Sequence, residues 1–479
     1  MSTHDTTAAP PAATTRWARA AENRWAALPV VLAGTFMVVL DFFIVNVALP
    51  AMQSDLHASE TAIEWVVAGY GLTSAIGLIT FGRLGDRAGR LRIFSLGLAL
   101  FTLASLACGV APSSGALVVA RLAQGLAAAM MTPQVLSIIG VVYAGEDRVK
   151  ALSTYGMVMG LAAVGGQLIG GALVQADLFG LGWRSCFLIN VPIGVAALVL
   201  GPKLVPESRA ERAQRIDLVG TLLSSLFLVA LLLPLVEGRQ HGWPTWTWLS
   251  FGASAVLFGA FVASQRRRGT RGGAPLLELA MFRSRSLSAG LIAQLVLWMG
   301  QASFFLVYAL YLQQGRGLNA LQAGLVFTML AAAYLGASMR APALTMRLGR
   351  VLPAIGGVVL AAGHAAFVIG VNAVGDGGAL WALIPGMVLV GAGMGLTITP
   401  IASIVMTTVS AERAGALSGV LASMQQVGNA IGVAVVGVIF FGALGGGFAH
   451  AFRVSEWALV AVGLALAALT RLLPSRRAA

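Results

Sequence analysis

Charge is what this chain of 479 residues has least of. Asp, Glu, Lys and Arg make up 10% of it, against roughly 25% in soluble domains, which excludes an ordinary water-soluble globular protein. Cysteine is as scarce: Cys108 and Cys186 stand alone, and two isolated thiols exclude a disulfide framework or a cysteine metal cluster. Lysine is almost missing, with two residues among the 31 basic ones, a bias that fits a GC-rich bacterial genome. No loop is long enough for the soluble output domain of a membrane sensor. HExxH and GxSxG do not occur in a suitable context, so an embedded enzyme is not expected, nor a bound cofactor or metal. GAGMG at 391–395 lies in an apolar run, without the strand–turn–helix setting that a nucleotide fold requires.

What is there in quantity is apolar. Hydrophobic residues reach 58%, with 59 glycines, and they come in blocks near the roughly 20 residues that span a bilayer. Glycine at that level suits helices that approach closely without a hydrophobic drive between them. Fourteen such runs can be drawn, from 27–49 to 455–473, which predicts an all-α polytopic membrane protein. The first run is too long for a signal-peptide core and lacks a cleavage site, so it stays as a helix.

The net charge of +13 is a matter of topology. With fourteen spans, 26 of the 31 basic residues fall on one side, 4 on the other, and Arg121 lies inside a helix. The basic side is then cytoplasmic, and an even helix number puts both tails there. The excess charge suits anionic lipid rather than nucleic acid. The predicted organisation is a tail at 1–25, a six-helix bundle at 26–205, and two additional helices at 206–265. A cationic linker at 266–286, a second six-helix bundle at 287–473 and a tail at 474–479 complete it.

The motif GRLGDRAGRLR, Gly82 to Arg92, separates two apolar runs and is too polar for lipid, so it reads as a tight loop. A weaker echo, MRLGR at Met346 to Arg350, follows the tenth run. In a six-plus-six arrangement the two occupy matching positions, as in transporters built from repeats with a central site between them.

Asp41 lies well inside the first run. A mid-membrane acid costs roughly 2.5–3.5 kcal/mol on insertion scales and needs a partner, a wet cavity or a proton. It is either a structural acid or a carboxyl that loads and releases a proton, and alternating exposure would switch it. Arg121, in RLAQG, either pairs structurally or sets the charge balance around Asp41. The last six runs show no mid-membrane acid, because Asp376, Glu412 and Glu456 fall at predicted ends or loops. Proton chemistry is therefore expected in the first half, and His364, alone in its run, reads as structural.

In the fifth run, Gly156, Gly160, Gly165, Gly166, Gly170 and Gly171 serve close packing or a hinge. Gln294, Trp298, Gln301, Phe305 and Tyr308 follow i, i+4, i+7, i+11, i+14, one face of a helix. Ser418, Ala422, Gln425, Asn429 and Gly432 do the same further on. Such faces suit either interhelical hydrogen bonds or a cavity for amphipathic and cationic molecules.

Together these segments resemble the 14-helix drug:proton antiporters of the major facilitator superfamily. GRLGDRAGRLR resembles the superfamily loop motif, RLAQG the fourth-helix motif, WRSCFLINVPIG (Trp183–Gly194) a hallmark before and into helix 6, and DFFIVNVALP the first-helix motif, with Asp41 on its acid. Phe43 stands where that motif usually has Thr, and Gln167 where the fifth-helix antiporter motif usually has Pro. The resemblance implies a multi-pass protein of the cytoplasmic membrane, a monomer, that exports drugs or other amphipathic small molecules against an inward flow of protons. A dedicated exporter of one metabolite, or an importer of the same fold, is the alternative. It further implies an inter-bundle lock on the cytoplasmic side made by Gly82, Asp86, Arg87, Gly89 and Arg90, with Gly166, Gln167, Gly170 and Gly171 in the gating helix.

Overall fold

Each of the apolar runs forms a helix in the computed structural model. It describes residues 24–473 apart from 211–216, 239–240, 271–272, 274, 278, 280–281, 283 and 407–410; the two tails lie outside the described residues. The first bundle comprises α1 (Arg24–Asp55), α2 (Glu60–Ala88), α3 (Arg90–Gly109), α4 (Ser114–Val142), α5 (Gly145–Ala176) and α6 (Gly182–Leu204). Two further helices follow, α7 (Leu218–Glu237) and α8 (Thr245–Thr270). The second bundle holds α9 (Arg285–Gly315), α10 (Ala320–Leu348), α11 (Val351–Val374), α12 (Leu380–Met406), α13 (Ala411–Ala443) and α14 (Phe448–Thr470). Thirteen of these are long and apolar enough to cross a membrane as they stand, and α2 makes the fourteenth as a span bent by 47°.

Local chemistry explains the starts. Ser59, Ser113, Asp217 and Ser284 each accept a backbone N–H of the helix they begin. Asn319 and Gln322 form a reciprocal capping box at α10. Burial sorts the helices by place. In the most apolar stretch of α1 and α9, 72% and 78% of residues are buried, whereas α7 and α8 bury 28% and 17%. The first pair therefore lines the molecular centre, and the second pair faces lipid. Within the bundles α2 packs on α4, α1 on α5 and α6, α9 on α13, and α11 on α14. Between them α2 meets α13 and α5 meets α10. Helix α7 covers the α2–α13 seam: Leu228, Leu232 and Val236 pack with Leu72, Ala75, Ala430 and Ala434, and Trp65 donates to Glu237 at 2.8 Å.

Three departures from the expected boundaries bear on the site. The Gly82–Arg92 segment is not a loop. Helix α2 continues to Ala88, α3 begins at Arg90, and Gly89 alone makes the turn with φ +121°. At 29 residues α2 is longer than the roughly 20 that span the hydrocarbon, so its polar end needs no loop to reach water. Gly349 turns α10 into α11 the same way, with φ +55°, and each glycine N–H bonds back four residues, to Gly85 and Thr345. The echo in the sequence is an echo in structure. The linker also starts later than expected, because α8 runs on to Thr270. Finally, α14 starts at Phe448 rather than 455. Gly447 at φ +90° ends the turn there, and a stretch rich in Gly, His and Arg is helical from its next residue.

Candidate functional site

Five helices of the first bundle converge on one buried polar cluster. Arg121 of α4 donates to Asp41 of α1 at 2.5 Å, to Gln124 at 2.7 Å and to the Val66 carbonyl of α2 at 2.9 Å. Gln124 and Asn190 of α6 donate to the other carboxylate oxygen at 2.8 and 3.2 Å, and both also reach Ser105 of α3. Asp41 is 0% and Arg121 1% exposed. The two charges thus neutralise each other in a site without solvent contact, which is the condition for keeping a buried pair. The sequence pointed to Asp41 and Arg121 but missed Gln124, Asn190 and Ser105. A signal for Gln124 was present, since it follows Arg121 by three residues on the same helical face.

A cavity of about 200 Å³ lies between the bundles, lined from α1, α2, α4, α5, α9, α10, α12 and α13. Trp298, Gln301, Phe305 and Gln425 line it, as does Gln167. Among the described residues no charged side chain does. Gln167, both polar atoms of its amide included, Trp298 Nε1 and Gln301 Oε1 have no hydrogen-bond partner among the described residues. The wall is therefore aromatic and aliphatic, with a few amide groups free to orient a guest. Gln294, Tyr308 and Asn429 do not line it. The helical stripes extend beyond the cavity at both ends: Tyr308 stacks on Phe304 and faces Phe452 of α14 instead, and Asn429 bonds Gln426 at 3.4 Å.

Tyr70 of α2 joins the two places. It lines the cavity, and its ring lies 4.3 Å from the Arg121 guanidinium carbon. One aromatic ring separates the cavity from the buried pair.

Contacts between the bundles gather at the end away from the arginines. Gln313 donates to the Val47 carbonyl at 2.8 Å and Gln314 to Gln53 at 2.7 Å. Phe43 meets Phe305 edge-on at 5.0 Å. The glycines of α5 divide between two partners: Gly166 and Gly170 abut Phe43 and Ile44 within the bundle, while Gly171 abuts the Ala320 carbonyl across it, where a Cβ would come within 2.4 Å. At the arginine-rich end Asp86, expected to help lock the bundles together, has its partners in its own half of the chain among the described residues. Asp86 pairs instead with Arg90 at 2.7 Å and accepts Ala210 N–H on its carbonyl; Arg87 is exposed, and Gly82 abuts Pro133 of its own bundle. Arg83 reaches outward, to the linker carbonyls of Pro275 and Leu276. Glu207, which belongs to no motif in the sequence, caps α3 through the amides of Leu91 and Arg92, both at 3.1 Å, where a carboxylate complements a helix N-terminus.

The second bundle corrects a sequence expectation. Glu456 lies eight residues inside α14 and is 0% exposed, and His364 of α11 is not alone: its Nδ1 lies 2.7 Å from Glu456 Oε2. The early start of α14 is what draws this acid into the membrane.

Residues 31–433 match the Major Facilitator Superfamily. The chain is 41% identical over 424 residues to a probable actinorhodin transporter of Streptomyces coelicolor, covering 88% of this chain and 73% of that one. It is 34% identical to a tetracenomycin C resistance and export protein of Streptomyces glaucescens, over 88% and 77% of the two chains. Its fold is similar to that of a D-xylose-proton symporter, with a TM-score of 0.67 at 16% identity over 95% and 99% of the chains. This chain belongs to the Major Facilitator Superfamily of membrane transporters, among its 14-helix drug:proton antiporter group.

Proposed function

We propose that this transporter exports amphipathic aromatic molecules, uncharged or cationic, across the cytoplasmic membrane in exchange for protons. The arginine-rich end faces the cytoplasm in this reading, with both tails beside it. The observation that carries it is the arrangement around Tyr70: an uncharged aromatic and amide cavity stands one ring away from a buried carboxylate. Phe305, Phe327 and Trp298 offer faces for stacking, and Gln167, Gln301 and Gln425 offer orienting amides. At about 200 Å³ the cavity is small beside the roughly 300–1,000 Å³ of drug sites, so a polycyclic guest has to displace flexible side chains such as Met159 and Met394.

The residues then divide the work. A guest entering from the arginine-rich side presses on Tyr70 and through it on Arg121. When the opposite end opens, water reaches Asp41, which takes a proton and no longer holds Arg121; the guest leaves outward. Return to the arginine-rich side releases the proton inward and restores the pair. The Asp41 carboxyl is neutralised in each state, by Arg121 or by a proton; in the protonated state the Arg121 charge loses its partner and relies on water from the opened end and on the Tyr70 ring.

The test is export of the dye ethidium by everted vesicles under an imposed pH gradient. D41N inserted at wild-type level should lose gradient-driven export, and gradient-driven export retained by D41N would refute the coupling role. A second reading, a dedicated exporter of one compound, draws on the single-compound names of the two relatives. Competition between ethidium and chemically unrelated aromatics separates narrow from broad range.

A further inference from the structure

We propose that His364 and Glu456 form a second proton-carrying site, so that each bundle passes a proton during the exchange cycle. This rests on the proton-coupled reading above and extends it to residues outside the Asp41 cluster.

The bundles place the two clusters at matching positions. In the first, Ser105 of the third helix and Asn190 of the sixth are hydrogen-bonded at 2.9 Å. In the second, His364 of the third helix and Glu456 of the sixth are paired at 2.7 Å. Asn190 lies eight residues after Gly182, where α6 starts, and Glu456 eight residues after Phe448, where α14 starts. A hydroxyl and an amide thus suffice to join the third and sixth helices. An acid and an imidazole, each costly to desolvate, are not needed for packing, and what they add is the capacity to bind a proton.

The surroundings favour one mobile proton. Holding it, the pair is neutral overall, as an ion pair or as carboxylic acid and imidazole. Without it, one negative charge remains, and no described cation is placed to balance it as Arg121 balances Asp41. From α9, the nearby titratable groups are Tyr308 and Tyr311. Arg316, just beyond, is committed to Tyr311 and to the carbonyls of Gly375 and Gly378. On α14 itself His450 and Arg453 lie at the exposed start, with Arg453 on Asn372; Asp376 borders Gly447 there. The described part of α13 from Leu417 to Ala443 has no titratable side chain. Glu456 Oε1 and the Tyr308 hydroxyl, both fully buried, have no hydrogen-bond partner among the described residues, and they are the polar atoms through which a proton can reach or leave the pair. The link to the cavity is short: the Phe304 ring meets His364 edge-on at 5.5 Å, and its neighbour Phe305 lines the cavity.

Charge movement tests this in proteoliposomes holding the full chain, with ethidium, a monocation, as probe. Exchange for a second proton moves one net charge per cycle. A potential of about 60 mV, negative on the side receiving protons, should then change the steady-state wild-type ethidium gradient about tenfold. In E456Q the gradient should still respond to pH but no longer to potential. A merely structural pair predicts slower flux in E456Q with potential dependence intact, and that result overturns the proposal. Should E456Q fail to insert, the wild type alone decides, because ethidium exchange insensitive to potential excludes the second proton. Failure of the Asp41 reading looks different: D41N would keep the full wild-type response to both pH and potential. Wild-type flux indifferent to the pH gradient would overturn both.

Discussion

Breaking the Asp41–Arg121 pair one partner at a time should be costly and unequal. At 2.5 Å and an effective dielectric constant of about 20, the gross attraction is about 7 kcal/mol. Desolvation of both groups consumes most of that, so the loss on deleting one partner comes mainly from stranding the other, typically ~3–5 kcal/mol. D41N strands a guanidinium that cannot shed its proton and should lose close to that full amount. R121Q strands a carboxylate that can escape by taking up a proton, which should hold its loss to ~2–3 kcal/mol. The double variant D41N/R121Q strands neither, and Gln124, Asn190 and Ser105 remain to bond the new amides; it should recover to within ~1–2 kcal/mol of wild type. Thermal unfolding of the purified proteins in detergent reads all four corners of this cycle. Additive losses in the double variant, or R121Q as damaging as D41N, would refute the reasoning.

Three further expectations follow from the geometry. G89A forces a Cβ into a positive-φ turn and within 2.8 Å of the Glu207 carboxylate; it should lower stability by ~1–3 kcal/mol in the same unfolding assay. G171L places bulk against the Ala320 carbonyl and should part the bundles at the end away from the arginines, raising thiol labelling of an introduced Q53C at least severalfold. Y70A removes the ring between cavity and ion pair and should admit a proton leak, measurable with a pH dye inside liposomes; Y70F keeps the ring and should not leak.

Much of the fold is legible in the amino-acid order alone. Runs of apolar residues mark fourteen spans within a few positions, because a bilayer demands length more than pattern. Asp41 and Arg121 stand out since a charge in hydrocarbon has to be explained. What stays hidden has physical causes. Glu456 sits in a span whose first turns contain Phe448, His450 and Arg453, so composition reads as loop. The pairing of His364 with it links helices 92 residues apart, which no local spacing reveals. The stripe on α9 identifies one face of the helix but not how much of it the cavity occupies: Trp298, Gln301 and Phe305 line it, while Gln294 and Tyr308 lie outside it. In a membrane bundle lipid-facing and core-facing positions are both apolar, so periodicity does not say what a face meets. Glu207 carries no signal, being an ordinary acid in a basic loop until α3 begins beside it.

Proton release on binding bears most directly on the claim that Asp41 exchanges a proton for the guest. Ethidium is added to purified protein in weakly buffered detergent, and the pH change is followed for wild type and for D41N/R121Q, the variant expected to keep the fold. Guest binding draws protonated, outward-open chains into the paired state, so the account predicts that wild type releases more protons than the double variant, by at most one per chain. Equal release from both would contradict it.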